Sequence, residues 1–145
     1  MQEYLYDSFY FTLSRLNRNI TRIADESFKP IGIPPSYGYL LLLINEWKEL
    51  SPTKISETLD IKPSTTTRFL DKLQKLGYIT RRTEGKYSYI SLSSLGMSKL
   101  PEIQGIIETL EFKITKMITA KVSERQKVVF TEIADRVSEK VKEAK

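Results

Sequence analysis

Ser64, Thr65 and Thr67 follow directly on Pro63, and Arg68, Lys72 and Lys75 come after them at helical spacing. Hydroxyls at such positions can bond a base edge or a phosphate oxygen. An arginine can fork onto O6 and N7 of guanine, and lysines attract phosphate. Lys54 and Lys62 precede this group, and Arg81, Arg82 and Lys86 follow it. Other chemistry is scarce. The chain has no Cys and no His. That removes disulfides, thiolate nucleophiles, thiolate zinc sites and thiol redox switches, together with the commonest general base. No cluster of carboxylates or lysines at motif spacing replaces them. The expectation is a protein that is not an enzyme and uses no metal or cofactor.

The charge balance points the same way. The 145 residues carry a net charge of +5. Residues 51–91 hold eight basic residues against Glu57, Asp60, Asp71 and Glu84, so this middle segment contributes +4 of it. A basic segment favours a polyanionic partner if its cations share one face. With 40% hydrophobic and 28% charged residues, the chain is composed like an ordered domain. The longest apolar run, Tyr39–Ile44, is six residues, whereas a spanning helix needs about 20. The first residues, with Glu3 and Asp7, lack the basic-then-apolar order of a signal peptide. A cytoplasmic protein with no membrane contact is expected.

The elements that must position these residues are mainly helical. From Glu3 to Phe28, Leu5, Phe9, Leu13, Leu16, Ile20 and Ile23 recur at spacings of three and four, which predicts a helix. Pro30, Gly32, Pro34 and Pro35 break it, and Pro35 suits the first turn of a helix to Trp47 that is apolar nearly all round and therefore central. A short helix over 52–59 would turn Ile55, Thr58 and Leu59 inward. After the link Asp60-Ile61-Lys62, Pro63 opens a helix to about Leu76 with Thr66, Phe69, Leu70 and Leu73 inward, stopped at Gly77. Two β-like runs, 78–82 and 87–92, joined by Thr83-Glu84-Gly85-Lys86, predict a hairpin. Ser93 can cap a long helix, with a kink or an early 3₁₀ stretch near Pro101 and Gly105. Ser123 with Gln126 fits a capping box opening a last helix. The fold class is mainly α with a small β-hairpin wing.

Helix, tight turn, helix and hairpin in that order would brace the 63–76 helix for a major groove about 12 Å wide. The run Ile55-Ser56-Glu57-Thr58-Leu59, the link to Lys62, and Pro63-Ser64-Thr65-Thr66-Thr67-Arg68-Phe69-Leu70-Asp71-Lys72-Leu73 through Gly77-Tyr78-Ile79-Thr80-Arg81 resembles the winged helix-turn-helix of MarR-type transcription factors. Gly32-Ile33-Pro34-Pro35 is similar to the family's entry to its second helix, and Leu92-Ser93-Ser94-Leu95-Gly96 to the motif after its wing. There are departures. The family wing carries an Asp-Arg pair whose Arg enters the minor groove, whereas this chain has Glu84 and Gly85 there, with Lys86 next. The polar cap before the proline is here Lys62.

The resemblance implies a double-stranded DNA-binding regulator, a repressor in the usual case, acting as a homodimer on a pseudo-palindromic operator. Residues 31–93 would form the DNA-binding lobe, and 1–30 with 94–145 the dimerisation region. Leu5, Phe9, Leu13, Val129, Ile133, Val137 and Val141 show apolar faces on the terminal helices that need a partner, and a two-fold interface is the commonest solution. Family members bind small aromatic molecules between the dimerisation helices and the DNA-binding lobe. That implies a small aromatic effector, with Phe9, Tyr37, Tyr39 and Trp47 near the region as pocket or as core. The rival expectation is a winged-helix module that binds protein without specific DNA binding.

Overall fold

The structure is a computed structural model describing residues 4, 5, 7–118 and 120–145, and the side chains of 120–123 are outside the description. Glu3, the expected start of the first helix, is also outside it. Helix α1 runs Phe9–Phe28, its start capped by the Ser8 hydroxyl, which accepts the Phe11 N–H at 3.2 Å. A 3₁₀ turn, Lys29–Ile31, ends at Gly32 with φ 70, a left-handed conformation suited to glycine.

Helix α2, Pro35–Trp47, buries Tyr37, Gly38, Leu40, Leu41 and Ile44. Its weak polar face makes it the central element, as its composition predicts. Helix α3, Pro52–Leu59, is capped by Ser51, and helix α4, Pro63–Lys75, follows after Asp60 turns the chain at φ 53. Helix α4 ends with Gly77 at φ 77, where the Gly77 N–H reaches the Gln74 carbonyl and the Tyr78 N–H reaches that of Leu73. That paired closure is what a glycine just past a helix end permits.

Strands β1, Ile79–Glu84, and β2, Tyr87–Leu92, pair antiparallel, with Glu84 opposite Tyr87. The link is thus Gly85-Lys86 and not the four residues expected. Thr83 and Glu84 belong to the strand because an exposed hairpin edge tolerates polar side chains. Gly85 supplies the positive φ that the tight turn requires. Leu50 joins the hairpin from outside, exchanging hydrogen bonds of 3.0 and 2.7 Å with Ile90.

Helix α5, Ser94–Met117, is capped by Ser93, which accepts the Gly96 N–H at 3.0 Å. It stays α-helical through Pro101 and Gly105, so of the two expected alternatives, a kink or an early 3₁₀ stretch, the 3₁₀ stretch is absent. Gly96 lies against the Tyr78 carbonyl so closely that a Cβ there would collide with it. Helix α6, Ala120–Glu143, opens at Ala120 rather than at Ser123, and the Ser123 side chain lies outside the described residues.

The core gathers Phe28, Leu40, Leu41, Ile44, Ile55, Leu70, Leu73, Ile90 and Ile103, all essentially inaccessible. It draws on α1 through α5 and on the hairpin. This packing ties the helix-turn-helix to the hairpin behind it. Among the described residues, no helix is long and apolar enough to cross a membrane.

Candidate nucleic-acid interface

Helices α3 and α4 meet through Ile55, Leu70 and Leu73, and through one buried polar contact. The hydroxyls of Ser56 and Thr66 lie 2.7 Å apart, and Ser56 also donates to the Pro52 carbonyl at 3.0 Å. Ser56 is therefore the inward hydroxyl of α3. Thr58, expected inward, is exposed and bonds the Lys54 carbonyl instead. A buried hydroxyl needs partners, and Ser56 faces Thr66 across the turn whereas Thr58 faces solvent.

With Thr66, Leu70 and Leu73 buried, the opposite side of α4 is presented outward. Ser64, Thr67, Arg68, Lys72 and Lys75 are exposed and Thr65 is half-buried. The Thr67 hydroxyl donates to the Pro63 carbonyl at 3.0 Å, so its remaining capacity is as an acceptor. The Arg68 guanidinium lies 5.8 Å from the Phe69 ring centroid and projects from the exposed side. Lys62, at the N-cap, makes no side-chain cap hydrogen bond, and Pro63 follows it. Lys54 is held 5.5 Å above the Trp47 ring. These eight side chains are the hydroxyl and cationic groups that α3, the link and α4 carry at or near the surface.

The two wing arginines are engaged in ion pairs. Arg81 is paired with Asp71 of α4 at 2.8 Å. Arg82 forks onto Glu49, with Nε to Oε2 at 3.3 Å and Nη2 to Oε1 at 2.7 Å, and reaches Glu84 through Nη1 at 2.7 Å. Its guanidinium also covers the Tyr89 ring at 4.5 Å. The Arg82 hydrogen bond holds the Glu49 carboxyl below its ordinary value, with a smaller contribution from Ser91. Hydrogen bonds from Arg82 to Glu49 and then to Glu84 raise the guanidinium in turn. Lys86, at the turn, sits 5.6 Å from the Tyr87 ring. Glu49 was not among the residues singled out in the sequence, and its role is a matter of tertiary register.

The residues expected at a dimer contact, Leu5, Phe9, Leu13, Val129, Ile133, Val137 and Val141, are all exposed in the single chain. Leu13, Ile133, Val137 and Val141 join Phe130, Ile61 and Pro63 around a cleft of about 640 Å³ between α6 and the α3–α4 turn. Lys142 spans one end of it to Asp60 at 3.4 Å. A Ser138 hydrogen bond, with a smaller contribution from Lys142, lowers the Asp60 carboxyl.

The four aromatics are not brought together. Tyr37 is buried against Phe69 with ring centroids 5.0 Å apart. Tyr39 and Trp47 are partly exposed on α2, and Phe9 is exposed at the start of α1. Burial, and then Glu111, raise the Tyr39 phenol. None of the four lines the cleft.

Residues 36–84 match the model of the MarR family. The HTH-type transcriptional regulator PapX of Escherichia coli is 38% identical over 89 residues, covering 57% of this chain and 54% of PapX. The chain thus spans about half the length of that relative. An uncharacterized HTH-type transcriptional regulator of Bacillus cereus is 24% identical over 121 residues, covering 83% of this chain and 81% of the relative. Among solved structures, the transcriptional repressor CouR bound to a 23-mer DNA duplex superposes with a TM-score of 0.83 at 19% identity, covering 90% of this chain and 94% of CouR. CouR from Rhodococcus jostii RHA1 bound to p-coumaroyl-CoA superposes at 0.78 and 18% identity over the same shares. At such identities the likeness is one of fold.

Proposed function

We infer, from the MarR-family winged helix-turn-helix that this chain carries, that it is a sequence-specific regulator of transcription that binds double-stranded DNA through α4. The observation that carries this reading is the outward face of α4. Ser64, Thr65, Thr67, Arg68, Lys72 and Lys75 share the side opposite the buried Thr66, Leu70 and Leu73. A helix braced in this way can enter a major groove with base-reading and phosphate-binding side chains together.

The active form in this reading is a homodimer. Its support is the uncovered apolar surface of the terminal helices, where Phe9 is 81% and Val137 56% exposed. A single folded chain gains nothing from leaving such a face in water. Two copies related by a two-fold axis would cover it and set two α4 helices on half-sites about 34–36 Å apart. The sign of regulation is repression, and a small aromatic molecule relieves it. Both parts are supported by the likeness to CouR, a transcriptional repressor also solved with p-coumaroyl-CoA.

Selection of duplexes from a random pool tests the central claim. A convergent palindromic sequence, bound with an affinity that falls steeply with salt, is the expected result. Failure to select any duplex would favour the protein-binding module. Release of the selected duplex by p-coumaroyl-CoA or simple aromatic acids tests the effector, and a reporter placed behind the selected sequence tests repression.

A further inference from the structure

Arg82 stands in the wing of a DNA-binding fold, where a free guanidinium would meet phosphate. Here it is already occupied. Two of its nitrogens fork onto Glu49, a third reaches Glu84, and its plane lies 4.5 Å over Tyr89. The Ser91 hydroxyl approaches the same Glu49 carboxylate at 3.4 Å. Two carboxylates around one guanidinium satisfy its charge within the protein.

Glu49 is next to Leu50, the residue whose backbone pairs with Ile90 of the hairpin. Arg82, Tyr89 and Ser91 are on the two strands of that hairpin, with Arg82 directly opposite Tyr89. The side-chain cluster therefore doubles the Leu50–Ile90 backbone bridge and fixes the hairpin to the segment leading from α2 into α3. An isolated exposed ion pair contributes little. A forked arginine–carboxylate pair within a network, stacked on a ring, is the arrangement in which such pairs do contribute.

We propose that Arg82 and Glu49 act as a latch that sets the angle of the wing relative to α3 and α4, and that Arg82 is a positioning residue for DNA binding rather than a phosphate ligand. The proposal rests on the DNA-binding reading for its effect on affinity, though not for the latch itself. Lys86, at the turn, is then the wing cation left to meet the backbone of a bound duplex.

Two substitutions separate the roles by sign. Glu49→Gln removes a negative charge, so it would tighten DNA binding if Arg82 were a phosphate ligand held back by Glu49. If the pair is a latch, Glu49→Gln weakens binding of the selected duplex about two- to fivefold. Arg82→Gln then weakens it to a similar extent, and the double variant is no worse than either single one. Arg82→Gln also leaves the slope of log affinity against log salt unchanged, whereas loss of a phosphate contact makes it shallower by about 0.9. Arg82→Lys resembles Arg82→Gln because lysine lacks the planar fork. Independently of DNA, Glu49→Gln speeds amide exchange at Leu50 and Ile90. Unchanged or tighter binding by Glu49→Gln, a shallower salt slope for Arg82→Gln, or unchanged amide exchange overturns the proposal. If the wild-type chain selects no duplex, the DNA-binding reading fails, and amide exchange still decides the latch.

Discussion

In the proposed DNA-binding reading, Arg68 is the side chain on which base reading by α4 turns. It is exposed, one residue from the half-buried Phe69, and free to reach a base edge or a phosphate. The Thr67 proton is committed to the Pro63 carbonyl, which leaves Arg68 the stronger donor at the groove. Arg68→Ala is expected to cost about 1–3 kcal/mol of binding and to relax preference at one position per half-site. Affinities for all single-base variants at one salt concentration check this, and equal weakening of every variant would make Arg68 a phosphate contact. Gly96 makes a stability prediction at the same scale. A methyl there collides with the Tyr78 carbonyl, a backbone atom held between α4 and β1. Gly96→Ala should lower stability by about 1–3 kcal/mol, as overpacking does. An unchanged denaturant midpoint would refute that close approach. The outward residues of α4 were legible because helical periodicity alone separates them from Thr66, Leu70 and Leu73. Ser56 was not. Both Ser56 and Thr58 are small hydroxyl residues of α3, and only the fold shows which one faces Thr66.

The elements themselves were legible where punctuation is strong. Pro35, Pro52 and Pro63 each stand at a helix start, Gly77 closes α4, and Ser93 caps α5. The hairpin was legible in kind but not in extent. Thr83 and Glu84 have loop-like composition, yet they pair because the strand edge is solvated. The Leu50–Ile90 bridge had no signal in sequence, since it joins residues forty apart in the chain. Its side-chain reinforcement has a pH dependence of definite sign. Arg82, and then Ser91, hold the Glu49 carboxyl below the ordinary value of 4.5, against a smaller opposing push from burial. A carboxyl lowered in the folded state contributes its full stabilisation above that ordinary value and loses it as pH falls through the lowered one. Glu84 and Tyr89 are the other titratable groups around Arg82. Amide protection at Leu50 and Ile90 should therefore hold from neutral pH down to the ordinary carboxyl value and decline only as pH falls below it. In Glu49→Gln that decline should be absent, and its persistence would show that the Glu49 carboxyl is not its source.

Across the whole molecule, the apolar periodicity of the terminal segments revealed a surface in need of cover, but not its shape. The cleft between α6 and the α3–α4 turn exists only once Leu13, Ile61 and Val137 are brought together. Leu13→Glu combined with Ile133→Glu sets a charge on each side of that surface. An unpaired charge resists burial, so sedimentation should show a dimer for the wild type and a monomer or aggregate for the double variant. A wild-type monomer at tens of micromolar would defeat the dimer reading. The pairing of Arg81 with Asp71 and of Arg82 with Glu49 and Glu84 has a kinetic consequence at this scale. Asp71, Glu49 and Glu84 offset the wing's Arg81, Arg82 and Lys86, whereas Lys54, Lys62, Arg68, Lys72 and Lys75 outnumber Glu57 and Asp60 on the helix-turn-helix. The long-range field that raises association rates is thus centred on α4. A polyanion in the neighbourhood would be drawn toward that helix first, and the hairpin would come to rest on it only after encounter, contributing to residence time more than to the rate of arrival.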